Sequence, residues 1–129
     1  FYKLLDASNI DKIFISNVGS QIDASKLTHI NYAFANLDNE GNVMIGDQWA
    51  DVEYHYQDEQ YPGTGNFGAL RRLKQQFPHI KTLISIGGWT WSQYFSTVAA
   101  SSTKRKQFVK TSIEFMIKHG FDGIDIDDI

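Results

Sequence analysis

Phe121-Asp122-Gly123-Ile124-Asp125-Ile126-Asp127-Asp128-Ile129 is the stretch on which the reading of this chain turns. The alternation within it predicts a strand over Phe121 to Ile129. Side chains on a strand point to opposite faces in turn. Asp125 and Asp127 therefore share a face, and Asp128 points the other way. Carboxylates crowded onto a buried strand are costly. Two like charges two residues apart on one face do not both ionise freely, so one is expected to hold a proton or receive a strong donor. Such a cluster points to catalysis or to a hard cation. The plainer alternative is an exposed acidic end that happens to follow a strand.

Just upstream, Thr103 to His119 has helical periodicity. Ser101 and Ser102 offer N-caps, Gly120 suits the position past the C-terminus, and Phe108, Val109, Ser112, Ile113, Met116 and Ile117 form the apolar stripe. Lys81 to Gly88 (KTLISIGG) reads as a buried strand. Phe67 to Phe77 reads as a helix, with Phe67, Leu70, Leu73 and Phe77 on one face and Pro78 as its stop. His29 to Asn36 (HINYAFAN) reads as a strand with Ile30, Tyr32 and Phe34 on one face. Residues 37 to 64 are polar and turn-rich, with Val43-Met44-Ile45 as a brief hairpin partner, and a short helix is expected near Ala24 to Leu27. For the first strand two readings stand: Phe1-Tyr2 fits the distance, and Ile13 to Ser16 fits the pattern. Strands and helices in alternation predict an α/β fold with a parallel sheet.

Gly87-Gly88-Trp89-Thr90-Trp91 closes the Lys81 strand. Paired glycines at a strand end permit close backbone approach or an unusual turn. Two tryptophans beyond them suit stacking on a sugar ring, or else simple packing. Ligands on parallel sheets bind at the C-terminal strand ends, where this turn and the acidic strand both finish.

Composition narrows the classes. With 42% hydrophobic and 21% charged residues, the chain is of globular type, and its 129 residues can bury a core. A net charge of −3 gives no reason to expect a nucleic-acid partner or an anionic membrane. The absence of cysteine excludes disulfides, thiolate metal sites and a cysteine nucleophile. His29, His55, His79 and His119 show no paired ligand spacing, so no metal and no cofactor are expected. No apolar run approaches the ~18 residues of a membrane span. The opening Phe1-Tyr2-Lys3-Leu4 is neither an initiator Met nor a signal peptide, and the last strand runs to the final residue. The expectation is a piece of a longer protein.

Three tracts, in order, resemble glycoside hydrolase family 18, the chitinase family. Leu27-Thr28-His29-Ile30-Asn31-Tyr32-Ala33-Phe34-Ala35 is similar to its second strand. Ser85-Ile86-Gly87-Gly88 is similar to its SxGG motif. Asp122-Gly123-Ile124-Asp125-Ile126-Asp127 resembles its DxxDxDxE signature, and Gly46 to Glu53 resembles a long loop of bacterial and fungal members. The resemblance implies that residues 1–129 are part of a catalytic domain, the first half of a (β/α)8 TIM barrel with about four of its strands, since a full barrel needs ~250 residues. It implies cleavage of β-1,4-linked N-acetylglucosamine polymers with retention, the substrate's own acetamido oxygen serving as nucleophile.

By motif, Asp127 would be the acetamido partner, Asp125 its supporting carboxylate, and Asp122 a structural residue. Tyr32, Phe34 and Ser85 would lie toward the barrel centre, and Gly87, Gly88, Trp89 and Trp91 around the sugar site. The position of the acid Glu falls on Ile129, which has no proton to donate, and Asp128 stands where the family has Trp. An inactive chain is therefore expected. The alternatives are a chitinase-like lectin that retains chitin binding, or a non-functional truncation product. Chitin or N-acetylglucosamine oligomers are the implied partners. The parent family would be extracellular. A half-barrel also exposes strand edges suited to self-association.

Overall fold

The computed structural model describes residues 3–6, 24–55 and 65–128. The expected strand alternative at Ile13 to Ser16 lies outside these residues, as does Ile129. Within them, four parallel strands form a sheet in the order β1 (Lys3–Asp6), β2 (His29–Leu37), β4 (Lys81–Gly87), β5 (Gly123–Asp127). A short β3 (Val43–Ile45) turns back antiparallel along the end of β2, pairing Leu37 with Val43 and Ala35 with Ile45. Phe1-Tyr2, the other reading, also lies outside the described residues, and the first described strand is β1 at Lys3–Asp6.

The helices follow the punctuation in the sequence. Helix α1 (Gly65–Gln76) ends just before Phe77-Pro78. Two short helices, α2 (Gly88–Trp91) and α3 (Phe95–Ala100), fill the connection after β4 and were not legible as helices. Helix α4 (Ser102–His119) starts at Ser101, whose side chain accepts the Lys104 N–H, and stops at Gly120, which takes the left-handed conformation at φ 78°. That conformation carries little penalty for glycine alone.

One face of the sheet packs on the helices. Tyr32, Ile84 and Ile124 form one registered row of that face, and Ile30, Leu37, Ile80 and Ile86 extend it. Phe67 of α1 packs edge-on against Tyr32, Phe115 and Phe121, its ring centroids 5.2 Å, 6.0 Å and 5.2 Å from theirs. The opposite face carries the next registered row, Ala33, Ser85 and Asp125.

Strand β2 departs from simple alternation. Ala33 pairs with Ser85 and Ala35 with Ile86, so Phe34 is an extra residue at a bulge. The Ala33–Phe34 peptide bond is cis. A one-residue insertion reverses the facing of everything beyond it. The expected shared face of Ile30, Tyr32 and Phe34 is accordingly corrected: Ile30 and Tyr32 enter the helix-side core, Ala35 and Leu37 continue it, and Phe34 leaves it.

The α4 stripe also divides. Ser112 and Phe115 are buried, and Phe108 and Met116 pack on the core. Val109, Ile113 and Ile117, spaced four apart, are exposed, Ile117 at 70%. The helix thus presents a second apolar face in addition to the one that meets the sheet.

Candidate active site

Strands β4 and β5 run parallel and in register, with Ser85 beside Asp125 and Gly87 beside Asp127. Because neighbouring residues in register face the same way, and Asp127 lies two residues beyond Asp125, Ser85, Asp125 and Asp127 share the helix-free face. The Ser85 hydroxyl donates to Asp125 Oδ2 at 2.7 Å. Ser85 is itself buried, so its hydroxyl is held in place. The strong donor expected for one of the paired carboxylates is therefore present, and it serves Asp125.

The glycine pair closes the strand by backbone geometry unavailable to other residues. Gly87 has φ 105° and Gly88 φ 74°. A methyl group on Gly87 would lie 2.7 Å from the Asp127 carbonyl oxygen and 2.5 Å from the Phe95 ring. One on Gly88 would lie 2.6 Å from the Phe34 ring. The missing side chains therefore let Phe34 and the β5 backbone close on the turn. Ser92 ties the same turn to β5: its hydroxyl lies 2.6 Å from the Gly88 carbonyl and 2.9 Å from that of Asp127.

Comparison with known proteins agrees with this arrangement. The family model described as glycosyl hydrolases family 18 matches residues 6–128. The chain belongs to glycosyl hydrolase family 18. It is 40% identical over 113 residues to endochitinase 1 of Metarhizium robertsii, covering 84% of this chain and 27% of that protein. Chitinase ChiA74 from Bacillus thuringiensis superposes on 88% of this chain and 24% of its own, with TM-score 0.79 and 35% identity. Human YKL-39, described as a pseudo-chitinase with retained chitooligosaccharide binding properties, matches 90% of this chain and 27% of its own, with TM-score 0.65 and 31% identity. The chain thus spans about a quarter of the length of these relatives. Its four parallel strands and flanking helices are part of the family 18 TIM barrel.

Within that family 18 frame the expected site residues fall into two groups. Asp125, Asp127, Ser85, Gly87, Gly88 and Phe34 come together at the C-terminal ends of β2, β4 and β5. Trp89 follows on α2 and is 86% exposed. The Trp91 ring lies over Gly46, where a side chain would collide with it, so this tryptophan packs against that segment.

Tyr32 is the correction. It was expected toward the barrel centre, but it is fully buried on the helix side, against Phe67 and Phe121. The parity that brings Ala33 level with Ser85 and Asp125 places Tyr32 on the other face. Asp122, expected to be structural, accepts the Thr82 N–H at 2.8 Å and pairs with Lys74 at 2.7 Å. Burial alone would raise its pKa, but the Lys74 and Thr82 donors outweigh this and hold it below the ordinary value.

Asp51, within the Gly46 to Glu53 tract, carries no sequence signal of its own and is the most deeply buried carboxylate among the described residues, at 1% exposure. It sits on a single π-helical turn, Trp49–Glu53, and receives the Tyr32 hydroxyl. The GDQWAD tract gave no periodic signal from which burial might be read.

Proposed function

We propose that residues 1–129 form the first half of a chitinase-type catalytic domain whose complete form hydrolyses β-1,4-linked N-acetylglucosamine polymers. The observation that carries this reading is the Ser85–Asp125 hydrogen bond beside Asp127, on one face at the C-terminal strand ends. In this reading the substrate's acetamido oxygen attacks its own anomeric carbon, and the glycosidic bond to the leaving oxygen breaks. Asp127 orients the acetamido N–H and stabilises the resulting oxazolinium, and Asp125, positioned by Ser85, supports Asp127. A proton must reach the leaving oxygen, and water then opens the oxazolinium with retention. The position of that proton donor falls on Ile129, and a hydrocarbon side chain cannot supply it.

Two features support a continuation of the barrel. Asn31 lies on the helix-free face, and its side-chain oxygen is buried without a hydrogen-bond partner among the described residues. Buried polar atoms of this kind are ordinarily paired. Val109, Ile113 and Ile117 give α4 an outer apolar face of the sort a neighbouring barrel helix covers. The strand edges also make self-association a second way to cover such surfaces. An extracellular location follows for the parent protein in this reading. Among the described residues no helix is long and apolar enough to cross a membrane.

The isolated chain is expected to release no fluorophore from a fluorogenic chitobioside beyond a heat-denatured control. Loss of a general acid alone lowers rates about 10²–10⁴-fold. Clear turnover by the purified chain would overturn the assignment of Ile129. A lectin-type reading is favoured by the same Ile129 together with the solvent-facing Trp89. Titration with chitohexaose, followed by tryptophan fluorescence, separates the two. Weak or absent binding is expected of half a groove, and tight, Trp89-dependent binding without turnover would support the lectin.

A further inference from the structure

The connection between β2 and α1 is fastened to the sheet through one buried carboxylate. Asp51 Oδ1 accepts the Tyr32 hydroxyl from β2, and Asp51 Oδ2 accepts the Asp47 N–H at 3.3 Å. Asn66 Nδ2, at the start of α1, donates to the Tyr32 hydroxyl oxygen at 3.0 Å. Three segments that are distant in sequence thus meet at this group. The contact with α1 is close: Gly65 has φ 56°, and a methyl group there would lie 2.5 Å from the Asp51 carbonyl. Trp49, half-exposed, rides on the same turn and stacks edge-on against Tyr54 at 4.8 Å.

The groups that face Asp51 do not neutralise it. Asp47, on its own segment, is a like charge. Tyr32 from β2 and Asn66 from α1 are neutral donors, and no Lys, Arg or His pairs with it among the described residues. An ionised carboxylate in this position is desolvated, with two side-chain hydrogen bonds among the described residues, a costly state.

We propose that Asp51 is a protonation-controlled latch: its neutral carboxyl holds the Trp49–Glu53 turn against β2 and α1, and loss of the proton loosens that turn. Burial, only partly countered by the Tyr32 and Asp47 donors, raises its pKa from 3.8 to about 6. The proton is therefore bound more tightly in the folded chain than in the unfolded one. The latch's contribution is full below the unfolded value and is lost as pH rises through about 6. This inference is independent of the catalytic reading, because Tyr32, expected from the motif to lie toward the barrel centre, is packed in the helix-side core.

The test is made on the whole chain. The Asp51 carboxyl carbon is followed by NMR from about pH 3 to about pH 8, spanning the carboxylate range. Amide exchange at Ala50 to Glu53 is measured alongside and corrected for its intrinsic pH dependence. The expected result is a carboxyl midpoint near 6 with protection at these amides falling across the same interval. In Asp51→Asn, which keeps the acceptor oxygen and cannot ionise, protection is expected not to change with pH. A midpoint at the ordinary carboxylate value, protection that is constant through the titration, or a pH dependence that survives in Asp51→Asn would each overturn the proposal. The first two readouts use the unmodified chain, so they decide the matter even if the variant does not fold.

Discussion

Replacing Gly87 by alanine should cost far more than the same change at Gly123, although both glycines lie in adjacent strands of one sheet. At Gly87 the backbone sits at φ 105° and ψ −105°, a region essentially reserved for glycine. Holding an L-residue there costs about 1–3 kcal/mol. The added methyl would also lie 2.7 Å from the Asp127 carbonyl oxygen. That oxygen is backbone and part of a strand, so it cannot swing aside as a side chain would. Overpacking of this kind adds about 1–3 kcal/mol, which brings the total to roughly 2–6 kcal/mol. For a domain stable by about 5–15 kcal/mol this is a large share. At Gly123 the backbone is not in the positive-φ region, and the methyl would meet only the Leu83 side chain at 3.3 Å. The lower backbone entropy of the unfolded alanine chain favours the variant by ~0.4–1 kcal/mol, offset by a small adjustment of Leu83. Urea unfolding followed by far-ultraviolet circular dichroism measures both variants. If Gly87→Ala and Gly123→Ala fall within about 0.5 kcal/mol of each other, the argument from turn geometry is wrong.

Other substitutions probe separate parts of the structure. Trp89→Ala removes an 86% exposed ring and should change stability by no more than about 0.5 kcal/mol in the same urea assay, while abolishing whatever chitohexaose binding the chain has. Ser101→Ala removes the side-chain cap of α4 and should cost about 1 kcal/mol. Lys74→Met removes the partner of Asp122 and should cost about 1 kcal/mol at neutral pH, since the pair is only partly buried. Asp122 has a lowered folded-state pKa, so its contribution is present above the ordinary carboxylate value and lost as pH falls through the lower one. The gap between wild type and Lys74→Met should therefore narrow when the unfolding is repeated in acid.

The elements were legible where one local signal dominated. Pro78 and Gly120 end helices as expected because each has a backbone property that context does not override. Strand β4 showed itself as an apolar run because most of it is buried, Thr82 and Ile84 to Gly87 included. The facing of β2 was legible only as far as Ala33, since nothing in NYAFAN marks the bulge that appears when β2 is paired with β4. The same limit applies to the site. Parity within β5 places Asp125 and Asp127 together, because no bulge intervenes. Tyr32 was drawn toward the site by motif, whereas register assigns it to the core. The α4 stripe was read as one face because apolar spacing alone cannot separate a face that meets the sheet from one that awaits another neighbour.

Register also accounts for how two neighbouring carboxylates can have different tasks. Along β4, Ser85 and Gly87 are two residues apart, the same interval that separates Asp125 from Asp127. The strand therefore offers Asp125 a hydroxyl at 2.7 Å and offers Asp127, in the next row, no side chain at all. A side chain at 87 would run into the Phe95 ring and the Asp127 carbonyl oxygen, and so displace the β5 backbone. Serine and glycine at this spacing fit the proposed division, in which Ser85 positions Asp125 and Asp127 meets substrate. The pattern is an asymmetric one: exchanging the two aspartates' neighbours would require moving β4 by two residues against β5. Such a slip keeps every side chain on its face but would carry the Gly87–Gly88 turn away from Phe34 and Ser92, whose contacts hold it at the strand end.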